Sequence, residues 1–104
     1  MSEYPLPYQS TDLTGQVAFV TGTTAGLGKR FAQVLAACGA KVIVTGRRVD
    51  RLEALSAEIN ASGGQAAPVA VDMTDRSSIR NALKAAEDLF GTVTILVNNA
   101  GIPD

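Results

Sequence analysis

A glycine-rich run near the amino terminus carries the clearest chemical signal in the sequence. The run, Thr21-Gly-Thr-Thr-Ala-Gly-Leu-Gly28, follows four apolar residues, Val17–Val20. Apolar residues then recur at the spacing of one helical face, at Leu27, Phe31, Val34, Leu35 and Cys38. A loop between a strand and a helix directs free N–H groups and the positive helix end toward an anion, and glycines let that anion reach the backbone. The run therefore predicts a cradle for a phosphate or pyrophosphate.

The glycine spacing alone leaves an alternative open. Gly-x-x-x-Gly-x-Gly differs from the Gly-x-Gly-x-x-Gly of the best-known dinucleotide fingerprint, and it also fits a tight turn that begins a helix. The glycine run matches the phosphate-binding loop of nucleoside triphosphatases less well than it matches either of these. Gly28-Lys29 is followed by Arg30 where such a loop needs a Ser or Thr to hold magnesium.

Composition excludes several classes of function. The chain has 104 residues, enough for one domain, and a net charge of −1 that offers no general attraction to nucleic acid or acidic membranes. It contains no histidine, so a metal site is not expected. Cys38 is the only cysteine and is expected to be a buried small hydrophobic residue. Neither a membrane span nor a signal peptide is indicated, which favours a cytoplasmic protein with a short amino-terminal arm, residues 1–12.

The elements that must position the glycine loop follow from the alternation along the chain. Apolar strand-like segments at Lys41–Thr45, Ala66–Val71 and Val93–Val97 alternate with amphipathic helical segments, the last of which has Thr74 or Asp75 as its N-cap. This order is typical of an α/β fold, a doubly wound Rossmann-like parallel sheet covered by helices on both faces. Pro68 cannot donate to a ladder, so the third strand is predicted at the edge, in the order 3-2-1-4.

In that sheet, four short motifs meet at one edge. The glycine loop, Gly46–Arg48, Asp72-Met73 and Asn98–Gly101 each follow the carboxyl end of a strand. Open parallel sheets bind their ligands at this edge. Asp72 also has a simpler interpretation as the cap of the turn before Thr74, and both roles are compatible. The two asparagines likewise fit an ordinary turn after a strand.

Together these motifs resemble the short-chain dehydrogenase/reductase family, over roughly Leu13–Ile102. The resemblance implies a Rossmann domain, residues 13–104, that binds a nicotinamide cofactor for hydride transfer to or from an alcohol or carbonyl. In this resemblance the glycine loop holds pyrophosphate and ribose, Asp72 and the Met73 backbone contact adenine, and Asn98 braces neighbouring strands. Beside Arg47 and Arg48, the implied cofactor-binding positions are Gly22, Thr23, Thr24, Ala25, Gly26, Leu27, Gly28, Asp72, Met73, Asn99, Ala100 and Gly101.

The end of the second strand predicts which nicotinamide cofactor is used. NAD sites place a carboxylate there, whereas the 2′-phosphate of NADP needs a cation. Gly46 occupies this position, and Arg47 and Arg48 follow it. A guanidinium pairs well with phosphate, which favours NADP over NAD, with Arg47 as the main ligand. The alternative is that both arginines form a solvated start to the second helix.

The family's catalytic groups, a Tyr-x-x-x-Lys pair with an upstream Ser, are not found in this sequence. Its tyrosines are Tyr4 and Tyr8, and neither has Lys four residues on. We therefore expect the chain to be the amino-terminal, cofactor-binding half of a longer oxidoreductase that forms a homo-oligomer and acts on a small molecule. We also expect the fourth strand to form an uncovered apolar edge. The alternative is a non-catalytic dinucleotide-binding module. A methyltransferase-like domain is disfavoured by Gly46, where an acidic residue would hold ribose hydroxyls.

Overall fold

Strands and helices alternate strictly along the chain. The computed structural model describes residues 12–22 and 26–98. The elements in chain order are β1 (Val17–Val20), α1 (Gly26–Ala37), β2 (Lys41–Gly46), α2 (Val49–Ala61), β3 (Gln65–Ala70), α3 (Arg76–Phe90) and β4 (Ile95–Val97). Within the described ranges, no helix is long and apolar enough to cross a membrane.

The described strands form one parallel sheet in the order β3-β2-β1-β4. This is the predicted 3-2-1-4 order, and it places β1 and β2 in the middle. Val20 lies opposite Val44 on one side and Val97 on the other, so β1 and β4 end level and β2 extends two residues further. Pro68 lies on the outer strand β3, opposite Val44, which confirms the prediction that a residue without an N–H belongs on an edge.

Helices cover both faces of the sheet, as the apolar strands predicted. Because successive side chains of a strand point to opposite faces, Ala18 and Val20 pack with α1 and α2, whereas Phe19 packs with α3. Asp75 is the N-cap of α3, and its carboxylate accepts a hydrogen bond from the Ser77 backbone N–H at 2.9 Å. The N-cap prediction is confirmed.

The face of α1 that packs on the sheet differs from the predicted one. Its buried residues are Gly28, Ala32 and Ala36. Of the predicted face, Leu35 packs against the core, whereas Leu27, Phe31 and Val34 are 50%, 38% and 51% exposed. Cys38 follows the helix and is only partly buried. The reason is the close approach of α1 to the sheet: a Cβ at position 28 would overlap the Gly22 carbonyl oxygen. Only small residues fit between α1 and the sheet, so Leu27, Phe31 and Val34 lie on a neighbouring face of the helix.

Several strand boundaries also differ from expectation: β2 ends at Gly46 rather than Thr45, and β3 ends at Ala70 rather than Val71. β3 begins at Gln65, one residue early, and β4 begins at Ile95 rather than Val93. Thr94 explains the later start of β4, because its hydroxyl accepts the Val17 N–H at 2.9 Å and takes the place of a backbone acceptor. Its own N–H donates to the Val17 carbonyl at 2.9 Å.

Candidate functional site

The parallel sheet brings the chemically informative residues to one edge. Gly22 follows β1, Arg47 follows β2, Asp72 lies two residues past β3, and Asn98 follows β4. This is the arrangement that the sequence predicted for the ligand-binding edge. Six of the predicted cofactor positions, Thr23, Thr24, Ala25, Asn99, Ala100 and Gly101, lie outside the described residues.

The glycines on either side of the loop adopt conformations that suit a tight connection. Gly22 and Gly26 have φ angles of 66° and 62°, in the left-handed region that glycine enters at little cost. Gly28 does not have a positive φ angle. Glycine is needed there because a Cβ would overlap the carbonyl oxygen of Gly22. The start of α1 therefore lies directly against the residue that follows β1. No acidic residue lies in the first turn of α1 to compete with an anion.

Side-chain hydrogen bonds join the strand ends beneath this edge. The Thr21 hydroxyl donates to the Val97 carbonyl at 3.3 Å and to the Asn98 side-chain oxygen at 3.1 Å. The Thr45 hydroxyl donates to the Val20 carbonyl at 2.8 Å. Both threonines are buried. Neither threonine was predicted to have a role of its own; the signal for it in the sequence is a hydroxyl at the carboxyl end of an apolar strand.

A cavity of about 290 Å³ lies where β2 and β3 end and α3 begins. Its lining consists of Arg47, Ala70, Val71, Asp72 and Ser78. The lining thus includes a cation, a carboxylate and two apolar side chains, and the Arg47 charge acts on Asp72. Ser78 was missed by sequence analysis; its hydroxyl accepts the Asp72 backbone N–H at 2.9 Å and fixes the start of the turn.

Asp72 is held in a tight turn. One carboxylate oxygen, Oδ1, accepts hydrogen bonds from the Thr74 backbone N–H at 3.0 Å and from the Thr74 hydroxyl at 2.7 Å. These bonds, chiefly the one from the hydroxyl, lower the pKa of Asp72; partial burial opposes them, and the Arg47 charge adds a smaller lowering effect. The carboxylate is therefore ionised at neutral pH. The capping role is confirmed, and the adjacent Met73 packs its side chain into the core on the α3 face.

The two arginines lie where the sequence placed them. Arg47 and Arg48 are both exposed, and Arg48 is the N-cap residue of α2 without a side-chain bond to that helix. Arg47 lines the cavity beside Asp72. The site thus combines a glycine turn at a helix start, a guanidinium and an apolar-walled cavity with a carboxylate. Such a combination can bind a nucleotide with phosphate groups at two points.

Comparison with known proteins decides the family. The sequence model of the short chain dehydrogenase family matches residues 16–104. The chain belongs to the short-chain dehydrogenase family. The 3-oxoacyl-[acyl-carrier-protein] reductase of Synechocystis sp. is 42% identical over 93 residues, which cover 88% of this chain and 38% of that protein.

Solved structures of family members have the same fold. A hydroxysteroid dehydrogenase from Escherichia coli has a TM-score of 0.85 and 37% identity, over 88% of this chain and 39% of that one. A metagenomic short-chain oxidoreductase in complex with NADP has a TM-score of 0.82 and 40% identity, over 88% of this chain and 41% of that one. The chain spans less than half the length of each of these relatives.

Proposed function

We propose that the chain forms the cofactor-binding part of an NADP(H)-dependent short-chain dehydrogenase/reductase. The cofactor, when bound, accepts or supplies the hydride that converts an alcohol to a carbonyl or the reverse. The residues of this chain bind and orient it. The proton donor for the reaction is proposed to lie outside these 104 residues, because neither tyrosine of the sequence has a lysine four positions on.

The observation that carries the proposal is the position of Arg47. It comes directly after Gly46, the last residue of β2, and it lines the same cavity as Asp72. A carboxylate at the end of β2 would accept a hydrogen bond from a ribose 2′-hydroxyl, and glycine cannot. A guanidinium in its place binds a 2′-phosphate through paired, charge-assisted hydrogen bonds. The NADP in a family member with the same fold supports this choice.

The local structure fits the rest of the cofactor. The apolar wall formed by Ala70 and Val71 suits a base, and the Asp72 oxygen that does not bond to Thr74 is an acceptor for an exocyclic amine. Because Gly28 has no side chain, the Gly22 carbonyl can approach α1 closely; a Cβ at position 28 would overlap it. Pyrophosphate then lies over the start of α1, where the helix dipole favours negative charge.

Binding of NADPH and NADH to the wild-type chain and to Arg47→Ala tests the proposal. We expect wild type to prefer NADPH, and Arg47→Ala to weaken NADPH binding roughly 10- to 150-fold, the range for loss of a charged hydrogen bond, with NADH binding little changed. Lys84→Ala is the matched control, because Lys84 is an exposed cation in the middle of α3, outside the cavity lining. Equal weakening for both cofactors would remove the argument for NADP. Failure of wild type to bind either cofactor would overturn the proposed function.

A further inference from the structure

A buried hydroxyl lies directly below the proposed cofactor site. Thr45, the penultimate residue of β2, is fully buried, and its hydroxyl donates to the Val20 carbonyl at 2.8 Å. Val20 and Val44 are already paired in the sheet, so this bond adds a second link between the ends of β1 and β2. The proposed cofactor-binding set does not include Thr45.

The link joins the two strand ends that carry the two phosphate-binding features. Val20 ends β1 and directly precedes the turn at Thr21-Gly22, while Thr45 lies two positions before Arg47. We infer that Thr45 is a positioning residue: its hydroxyl fixes the separation between the turn that holds pyrophosphate and the arginine that holds the 2′-phosphate. This inference rests on the proposed function, because it matters only for a ligand that occupies both places at once.

The chain just after β1 has little room to shift against α1. A Cβ at Gly28 would already overlap the Gly22 carbonyl, so Gly22 and α1 are in close contact. On the other side, the Thr21 hydroxyl ties the same strand end to β4 through Val97 and Asn98. Movement of the β1 end relative to β2 is therefore passed on to the turn. Hydrogen bonds to phosphate weaken when donors move by a few tenths of an ångström.

The chain offers a matched control at the opposite end of β1. The Thr94 hydroxyl accepts the Val17 N–H at 2.9 Å and lies 3.3 Å from the Val17 carbonyl oxygen. It is also a threonine hydroxyl that bonds to the backbone of β1, but at the amino end of the strand, away from the cofactor edge. Thr94→Val and Thr45→Val thus remove the same kind of hydroxyl, one bonded to the first residue of β1 and the other to its last.

The test measures affinity for NADPH and for adenosine 2′-monophosphate, a fragment that reaches the cavity and Arg47 but not the glycine turn. We expect Thr45→Val to weaken NADPH binding about five- to tenfold, as for loss of one hydrogen bond, and to change fragment binding less than about twofold. Thr94→Val should change neither affinity. Thr45→Ser keeps the hydroxyl but loses a buried methyl group, so it should lower the melting temperature and retain wild-type affinity for NADPH.

The measured affinities distinguish failure of the Thr45 positioning role from failure of the proposed function. If wild type binds NADPH and Thr45→Val binds it within twofold of wild type, the positioning role is wrong and the proposed function stands. If Thr45→Val weakens the fragment as much as NADPH, or if Thr45→Ser fails to restore NADPH binding, the hydroxyl has only a structural role. If wild type binds no NADPH, the proposed function itself fails and this inference fails with it.

Discussion

Asp72 accepts two hydrogen bonds from a single residue, the backbone N–H of Thr74 at 3.0 Å and its hydroxyl at 2.7 Å. Asp12 makes the same pair of bonds with Thr14, at 3.0 Å and 2.6 Å. In both turns the bonds favour the ionised carboxylate and lower its pKa below the ordinary 3.8. The two turns differ in their surroundings, since only Asp72 lies beside Arg47 and the cavity.

The first prediction concerns pH and stability. A carboxyl whose pKa is lower in the folded chain stabilises it above the unfolded pKa, and this stabilisation is lost as the pH falls through the folded value. We expect urea unfolding midpoints of wild type to fall between about pH 5 and pH 3, and Asp72→Asn and Asp12→Asn each to reduce that dependence. Only Asp72→Asn should alter NADPH affinity. Equal effects of the two variants on affinity would show that Asp72 acts only as a turn cap.

The second prediction concerns Gly28. Alanine in a helix is ordinarily about 1 kcal/mol more favourable than glycine. At position 28 the added Cβ would overlap the Gly22 carbonyl, so we expect Gly28→Ala to lower the free energy of unfolding by about 1 to 3 kcal/mol and NADPH affinity by at least roughly tenfold. Chemical denaturation and a binding titration measure the two effects.

Gly63→Ala is the control for Gly28→Ala. Gly63 has a φ of +94° but open space around its Cβ direction, so its substitution imposes a conformational cost of roughly 1 kcal/mol without overlap. The Gly63→Ala variant should bind NADPH with the affinity of wild type. If Gly28→Ala retained both stability and affinity, the close approach of α1 to the turn would not be required for the site.

The fold followed from the sequence more completely than the packing of its helices did. Four apolar strands, one proline and the alternation of helices were enough for the sheet order, because each is a local pattern with a direct structural meaning. The buried face of α1 was not predictable in this way. Phe31 and Val34 are more hydrophobic than Ala32 and Ala36, but the close approach of the helix to the sheet selects residues by size.

The same distinction applies to the site. The positions of Arg47 and Asp72 at this edge were predictable from their place after a strand, since strand ends in a parallel sheet share one edge. Thr45 and Ser78 were not, because their importance comes from partners in other elements, Val20 and the Asp72 backbone. A long-range hydrogen bond leaves no pattern in one sequence.

The third prediction concerns a buried hydroxyl. Ser56 on α2 is 4% exposed, and within the described part of the chain its Oγ atom has no hydrogen-bond partner. Because burial of an unpaired hydroxyl is unfavourable and alanine favours helix, Ser56→Ala should raise the free energy of unfolding by about 1 kcal/mol. Ser78→Ala is the opposite case, since it removes the acceptor of the Asp72 N–H and should destabilise the chain. Denaturant titrations of both variants check the signs; a loss of stability in Ser56→Ala would contradict the prediction.

The last prediction concerns β4, which is an outer strand of the described sheet. Leu96 at its centre is 65% exposed, and an exposed apolar edge strand pairs readily with other chains. We expect the 104-residue chain to self-associate as its concentration rises, and Leu96→Lys to suppress this, because a charged side chain on an edge strand disfavours pairing. Leu89→Lys removes a comparable apolar side chain, 54% exposed, from α3 rather than from a strand edge, and should have little effect. Sedimentation velocity distinguishes the cases: equal suppression by both variants would indicate general hydrophobic contact, and a wild type that stays monomeric would show that the edge does not pair.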